Sequence, residues 1–172
     1  MTDGTGRSGR GRKGAGVGDV VAVPASDGGY HFGVLLGEGA FGTAIGFVRG
    51  TFAAADWPPA EGAPEVRRHA VHTDKEAVRS GDWSVVAHDP ALAARFPEPE
   101  IYHAAGADDD LLDLLADSDA PEVGGSGMGE AADGTTRQLD EAEAREIGLL
   151  DGSYEQTVLS EYVPAHLARL GL

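Results

Sequence analysis

The chain has 172 residues, 41% of them hydrophobic, with 13 basic side chains against 29 acidic ones and a formal net charge of -16. That is the size of one ordinary domain, and so negative a balance argues against a protein whose main task is to grip a phosphate backbone. The absence of cysteine excludes disulfides, thiol catalysis, Cys-ligated zinc and iron–sulfur clusters.

The charge is uneven along the chain. Residues 1–16 carry four basic residues and one acidic one, residues 17–104 six and twelve, and residues 105–172 three and sixteen. The opening GTGRSGRGRKGAG has no large apolar group with which to offset its ordering entropy, so residues 1–16 are expected to form a disordered leader. From Val17 the pattern changes to a β-rich domain, 17–104. GDVVAVPA is a short β-branched run, Asp27-Gly28 supplies turn chemistry, and YHFGVLLG gives a second strand over 30–36. After a GEGAFG turn, TAIGFVRG gives a third over 43–49. Three short strands joined by glycine-rich turns make a meander, the unit of small barrels and sandwiches.

Pro58, Pro59 and Pro64 mark a loop. A strand is expected over 66–73 and another over 82–89, with Trp83, Val85 and Ala87 on one face, then an edge strand over 100–104. Within the C-terminal extension, 105–172, ADDDLLDLLADSDA reads as an acidic amphipathic helix over 107–120, and the glycines of 121–136 as a flexible linker. Leu139-Asp140-x-x-Glu143 is a capping box with a hydrophobic staple, its helix ending at Gly148. Ser153-x-x-Gln156 is a second box, opening a helix that Pro164 interrupts or restarts. The fold class expected is α+β: a small β-barrel or strongly curved, SH3-like antiparallel sheet followed by acidic C-terminal helices.

Gly37, Gly39 and Gly42 fall in a G-x-G-x-x-G frame, the pattern that lets backbone amides approach phosphates. Its setting between two strands is that of a kinase loop, but no H-R-D or D-F-G follows and the first lysine after it is Lys75. A hairpin turn that binds no nucleotide is the reading here. His69-x-x-His72 could share a metal only on a helix, because on a strand the two rings point to opposite faces. His31 and His88 could join other groups only in space. With no HExxH signature and no G-x-S-x-G elbow, no residue is assigned as catalytic, metal-binding or cofactor-binding.

These landmarks together resemble a known family. Gly18-Asp19, the apolar 20–23 run with Pro24, Asp27-Gly28, Tyr30, Gly33, Gly81, Trp83 and Pro97 are similar to the immunity protein 26 family. The RQLDEAEA segment, 137–144, is similar to that family's downstream acidic stretch. These are small bacterial proteins found beside polymorphic toxin systems, and the family name is also coupled to a phosphotriesterase, HocA. The resemblance covers residues 17–100 and carries no catalytic residue across. It implies a binding protein that neutralises a cognate toxin domain by occluding it; a small hydrolase and a non-catalytic adaptor are the other readings. A nuclease-type toxin is basic because its substrate is a polyanion, so an acidic inhibitor suits it. The carboxylates assigned to that contact are Asp108, Asp109, Asp110, Asp113, Asp117 and Asp119. No apolar run approaches the ~20 residues of a membrane span, and the basic start lacks the apolar stretch of a secretory signal. The expected partner is thus a protein, without nucleic acid or membrane, and the expected location the bacterial cytoplasm.

Overall fold

The structure, a computed structural model, describes residues 14–60, 62, 64–105 and 125–172. The meander forms as the turns require. β1 (Asp19–Pro24), β2 (Tyr30–Gly39) and β3 (Gly42–Phe47) pair antiparallel in sequence order. Asp27 Oδ1 accepts from the Gly29 amide at 3.1 Å in the first turn, and Gly42 closes the second at φ 97°. β4 (Val71–Thr73) and β5 (Ser84–His88) extend the sheet to the order β4-β3-β2-β1-β5.

Both faces of this sheet are covered, and the period of two divides its side chains between two cores. Val21, Val23, Leu35, Ile45 and Phe47 point to one side. There they meet Trp83, Ala77 of α1 (Glu76–Ser80), and Val163 and Leu167 of the C-terminal helix. Val20, Ala22, Phe32 and Val34 point to the other side, against Leu92 of α2 (Pro90–Ala93), Phe96, and the loop carrying Phe52 and Trp57. Two glycines make room on these faces. A Cβ on Gly33 would lie 2.6 Å from Ile45 Cγ2, and one on Gly46 would lie 2.5 Å from the Phe96 ring. Large side chains thus lie flat on the backbone where a methyl group would stand.

The second sheet has three strands, β6 (Glu100–His103), β7 (Met128–Ala131) and β8 (Thr136–Gln138), in that order. α3 (Glu141–Glu146) follows, started by one half of the expected capping box: Asp140 Oδ1 accepts from the Glu143 amide at 2.8 Å and Leu139 is buried against Ala144 and Ile147, while the Glu143 carboxylate turns to Arg137 and His69 instead. A 3-10 turn (Ser160–Tyr162) leads into α4 (Val163–Arg169).

The class is therefore α+β, with several corrections. The first sheet ends in two unjoined edges, β4 and β5, so among the described residues it is open and forms no closed barrel. The C-terminal extension is not purely helical. The glycine-rich 121–136 stretch, in its described part, holds β7 and the turn into β8, because β6 offers it a ladder. Ser153 opens no helix; it binds the Asp151 carboxylate in a turn, and Pro164 sits in the first turn of α4 instead. The 66–73 strand is broken: Val66 forms a lone bridge with Val48, and only 71–73 joins the sheet. Val85 and Ala87 do not share a face, because a bulge between Val20 and Val21 leaves Val86 unmatched; Val85 is 38% exposed while Ala87 packs on the opposite core. The leader is anchored at its end, where Ala15 packs on the first core and its carbonyl accepts from Lys75 Nζ at 3.2 Å. The acidic helix expected over 107–120 lies outside the described residues.

Candidate functional site

Two concavities of about 560 Å³ each open on the surface. The first is a bowl beside the β5 edge. α1 contributes Glu76 and Ala77, the turn after α1 brings Asp82 and Trp83, β1 ends there at Pro24, and the approach to α4 adds Leu159, Ser160, Glu161 and Pro164. Local chemistry holds these pieces together. Asp74 accepts from the Ser160 amide at 2.9 Å, the Ser160 hydroxyl at 2.7 Å and the Glu76 amide at 2.7 Å. These bonds hold its carboxyl below the usual carboxylate range despite the opposing cost of burial. Ser160 Oγ also accepts from the Ala77 amide at 3.3 Å, which locks α1 to the 3-10 turn. The floor is apolar and the rim carries the exposed carboxylates of Glu76, Asp82 and Glu161.

The second concavity is a groove between the β2–β3 hairpin and the second sheet. Gly37, Gly39, Phe41 and Gly42 form one wall, Pro99, Ile101 and Ala131 the other, with Glu38, Glu98 and Glu130 at the margin and His72 inside. The glycine-rich G-x-G-x-x-G frame is thus a hairpin wall. Glu38 is ion-paired to Lys75, so the one lysine among the described residues is already committed.

Between the sheets lies a polar network that the sequence does not announce. Arg137 of β8 donates to both oxygens of Glu100 at 2.7 Å and to Glu143 at 2.6 and 2.9 Å. Glu143 Oε1 also accepts from His69 Nε2 at 2.9 Å, and Arg67, itself buried, donates to the His69 carbonyl. Arg137 holds the Glu143 carboxyl down to about 2, and the two carboxylates in turn raise the Arg137 guanidinium. Burial lowers His69, so the neutral ring with its proton on Nε2 fits this site. Tyr102 stacks edge-on against His69 and Tyr154, and Tyr154 Oη accepts from the Tyr102 amide at 2.9 Å. Both phenols are raised by burial, Tyr154 to about 12. Beside the network, Arg67, His69, Tyr102 and Tyr154 line a small void of about 10 Å³, room for a single water. It is a fastening between sheets.

The histidines go to separate places. His69 is in the fastening and His72 in the groove. His88 Nδ1 meets the buried Asp19 carboxylate at 2.9 Å, and His103 Nε2 meets Glu130 at 2.9 Å. No group of three metal-ligating side chains forms among the described residues. Asp108, Asp109, Asp110, Asp113, Asp117 and Asp119 lie outside the described residues.

The cations are equally committed. Arg49, Arg68, Lys75, Arg79, Arg137, Arg145 and Arg169 each form an ion pair with Glu, and Arg67 and Arg95 donate to backbone carbonyls. Glu98 and Glu161 have no hydrogen-bond or ion-pair partner among the described residues. Sequence reasoning missed the bowl because its carboxylates come from two segments far apart in the chain, 74–82 and 161; the one legible signal was Trp83 beside Gly81 and Asp82. No family model, curated protein or solved structure matches this chain.

Proposed function

We propose that this protein is an immunity-type binding protein that occludes a basic bacterial toxin domain without catalysis, in the bacterial cytoplasm. The carrying observation is the distribution of charge on a rigid scaffold. Every cationic side chain of the described residues is engaged within the fold, while both large concavities pair an apolar interior with carboxylates at the margin. A basic partner gains desolvated apolar contact at the centre of such a surface and meets complementary charge at its edge. The landmarks shared with the immunity protein 26 family support the same reading, as does the curved, SH3-like sheet proposed as the scaffold.

The test is inhibition. A toxin domain encoded beside this chain's gene is expressed alone and with the chain, and growth, complex formation and toxin activity are measured. Rescue of growth with a stable complex is expected. A toxin domain still fully active in a one-to-one mixture would overturn the proposal, and turnover of an organophosphate ester by the purified chain would favour the hydrolase reading.

A further inference from the structure

Resting on that reading, we propose that the bowl around Trp83 is the receptor on this chain for an arginine side chain of its basic protein partner. Four observations converge there. The space, about 560 Å³, is ample for one long side chain and part of the backbone that carries it. Its floor is made by Pro24 and Pro164, with Ala77 and the margin of the buried Trp83 between them, which suits the alkyl stem of a long cationic side chain. Its rim holds Glu76, Asp82 and Glu161, and none of the lining residues is basic. Beside it stand two apolar side chains without cover, Leu159 at 53% and Tyr162 at 59% exposure. An apolar patch with a charged margin is the anatomy of a recognition surface.

The charges of the bowl are unequally committed, which sharpens the assignment. Asp74 is consumed by Ser160 and Glu76 backbone and hydroxyl donors, so it holds the bowl in shape. Glu76 pairs with Arg79 at the exposed surface, a bond that an incoming guanidinium can replace at little cost. Asp82 accepts only from the Ser80 hydroxyl at 2.7 Å, and Glu161 has no partner among the described residues. Lysine is the weaker occupant: its ammonium is a strongly hydrated point charge, whereas the less hydrated guanidinium of arginine can lie over the apolar floor and fork between two carboxylates.

The experiment uses the full chain, labelled for amide NMR and titrated with hexa-arginine amide and, separately, with hexa-lysine amide. Saturable shifts centred on residues 74–83 and 159–164 are expected, with hexa-arginine binding at least threefold more tightly. The variant E76Q/D82N/E161Q should bind hexa-arginine at least tenfold more weakly. E65Q/E141Q/E155Q removes the same charge from surface ion pairs elsewhere and should change binding less than twofold. The amide spectrum of each variant establishes that it is folded. Equal losses in the two variants, or shifts centred away from the bowl, would overturn the bowl while leaving a basic partner in place. Equal binding of the two peptides would overturn the arginine assignment. The absence of saturable binding by either peptide would sink the receptor and count against the basic-partner reading itself; growth rescue in the inhibition test would then confine the failure to the receptor.

Discussion

The two sheets of this molecule are held by different forces. In the first, β1 to β3 bury side chains on both faces, and Phe32, Phe47, Val20, Val21, Val23 and Val34 are wholly inaccessible. In the second, the apolar cluster is small, Tyr102, Leu139, Ala144 and Ile147, and the strands are fastened by the Glu100–Arg137–Glu143–His69 chain of charge-assisted bonds. Apolar burial is indifferent to proton concentration and is strengthened by salting-out ions. A charge fastening depends on which groups are ionised and fails when one member is removed. One chain thus combines a sheet that should answer to volume with a sheet that should answer to charge.

The comparison breaks most visibly in the first sheet. Trp83 is 3% exposed and packs with Val21, Val23 and Leu167. Trp83→Ala is expected to cost about 3–5 kcal/mol in urea denaturation, as cavity and lost transfer energy together. An unchanged midpoint would mean that the ring carries none of the packing assigned to it.

The corresponding test in the second sheet is Arg137→Met, which strands Glu100 and Glu143 without their cation. A cost of about 2–3 kcal/mol is expected, below that of a fully buried pair because the arginine keeps partial access to water. Amide exchange in β7 and β8 should accelerate more than in β1 and β2. Uniform acceleration across both sheets would show that they unfold as one unit and that the division drawn above is not energetic.

Overpacking sharpens the contrast within the first sheet. Gly46→Ala places a methyl group against the Phe96 ring and should cost about 1–3 kcal/mol. Gly39→Ala, with open space around it, should cost far less. Equal melting shifts for the two would show that Phe96 can yield.

Acid should act on the molecule in two stages, through the fastening at His69 and Glu143 and through buried groups packed on the first sheet. Burial holds His31, His69, His72 and His166 below their usual value of 6.5. The unfolded chain therefore takes up protons first, so this stability is complete above about pH 6.5 and declines as the pH falls below it. Glu143, held at about 2 against an ordinary 4.5, contributes stability that is complete above 4.5 and is lost as the pH falls through 2. Asp74 and Asp89 are lowered too, by hydrogen bonds that outweigh burial, and share that lower limb. Glu143→Gln should flatten the lower limb in part and, by removing the carboxylate that raises His69 against burial, enlarge the share of His69 in the histidine limb; a lower limb of unaltered slope would remove Glu143 from the fastening. The smallest effect belongs to the exposed Arg145–Glu141 pair on α3, where Arg145→Ala should cost only about 0.3–0.5 kcal/mol in thermal melts.

Local chemistry was readable in advance wherever a few adjacent residues sufficed. The Asp27-Gly28 turn, the GEGAFG hairpin, the Asp140 cap with its Leu139 staple, and the helix stop near Gly148 all depend on backbone preferences and short-range bonds, and all are present. Where a long-range partner decided, local reading failed. The glycines at 125–134 look like a linker until β6 offers β7 a ladder, and Ser153 looks like a cap until Asp151 claims its hydroxyl. The alternation of Trp83, Val85 and Ala87 is broken by a bulge at a pairing that no single strand reveals.

Composition and turn chemistry act within a few residues, and they suffice for an acidic, cysteine-free α+β chain with a β-meander at its front. Long-range packing alone leaves the sheet open, joins His69 to Glu143 rather than to His72, and brings Glu76, Asp82 and Glu161 to one rim. Those outcomes depend on which distant side chains exclude water together, and separation along the chain carries no record of that.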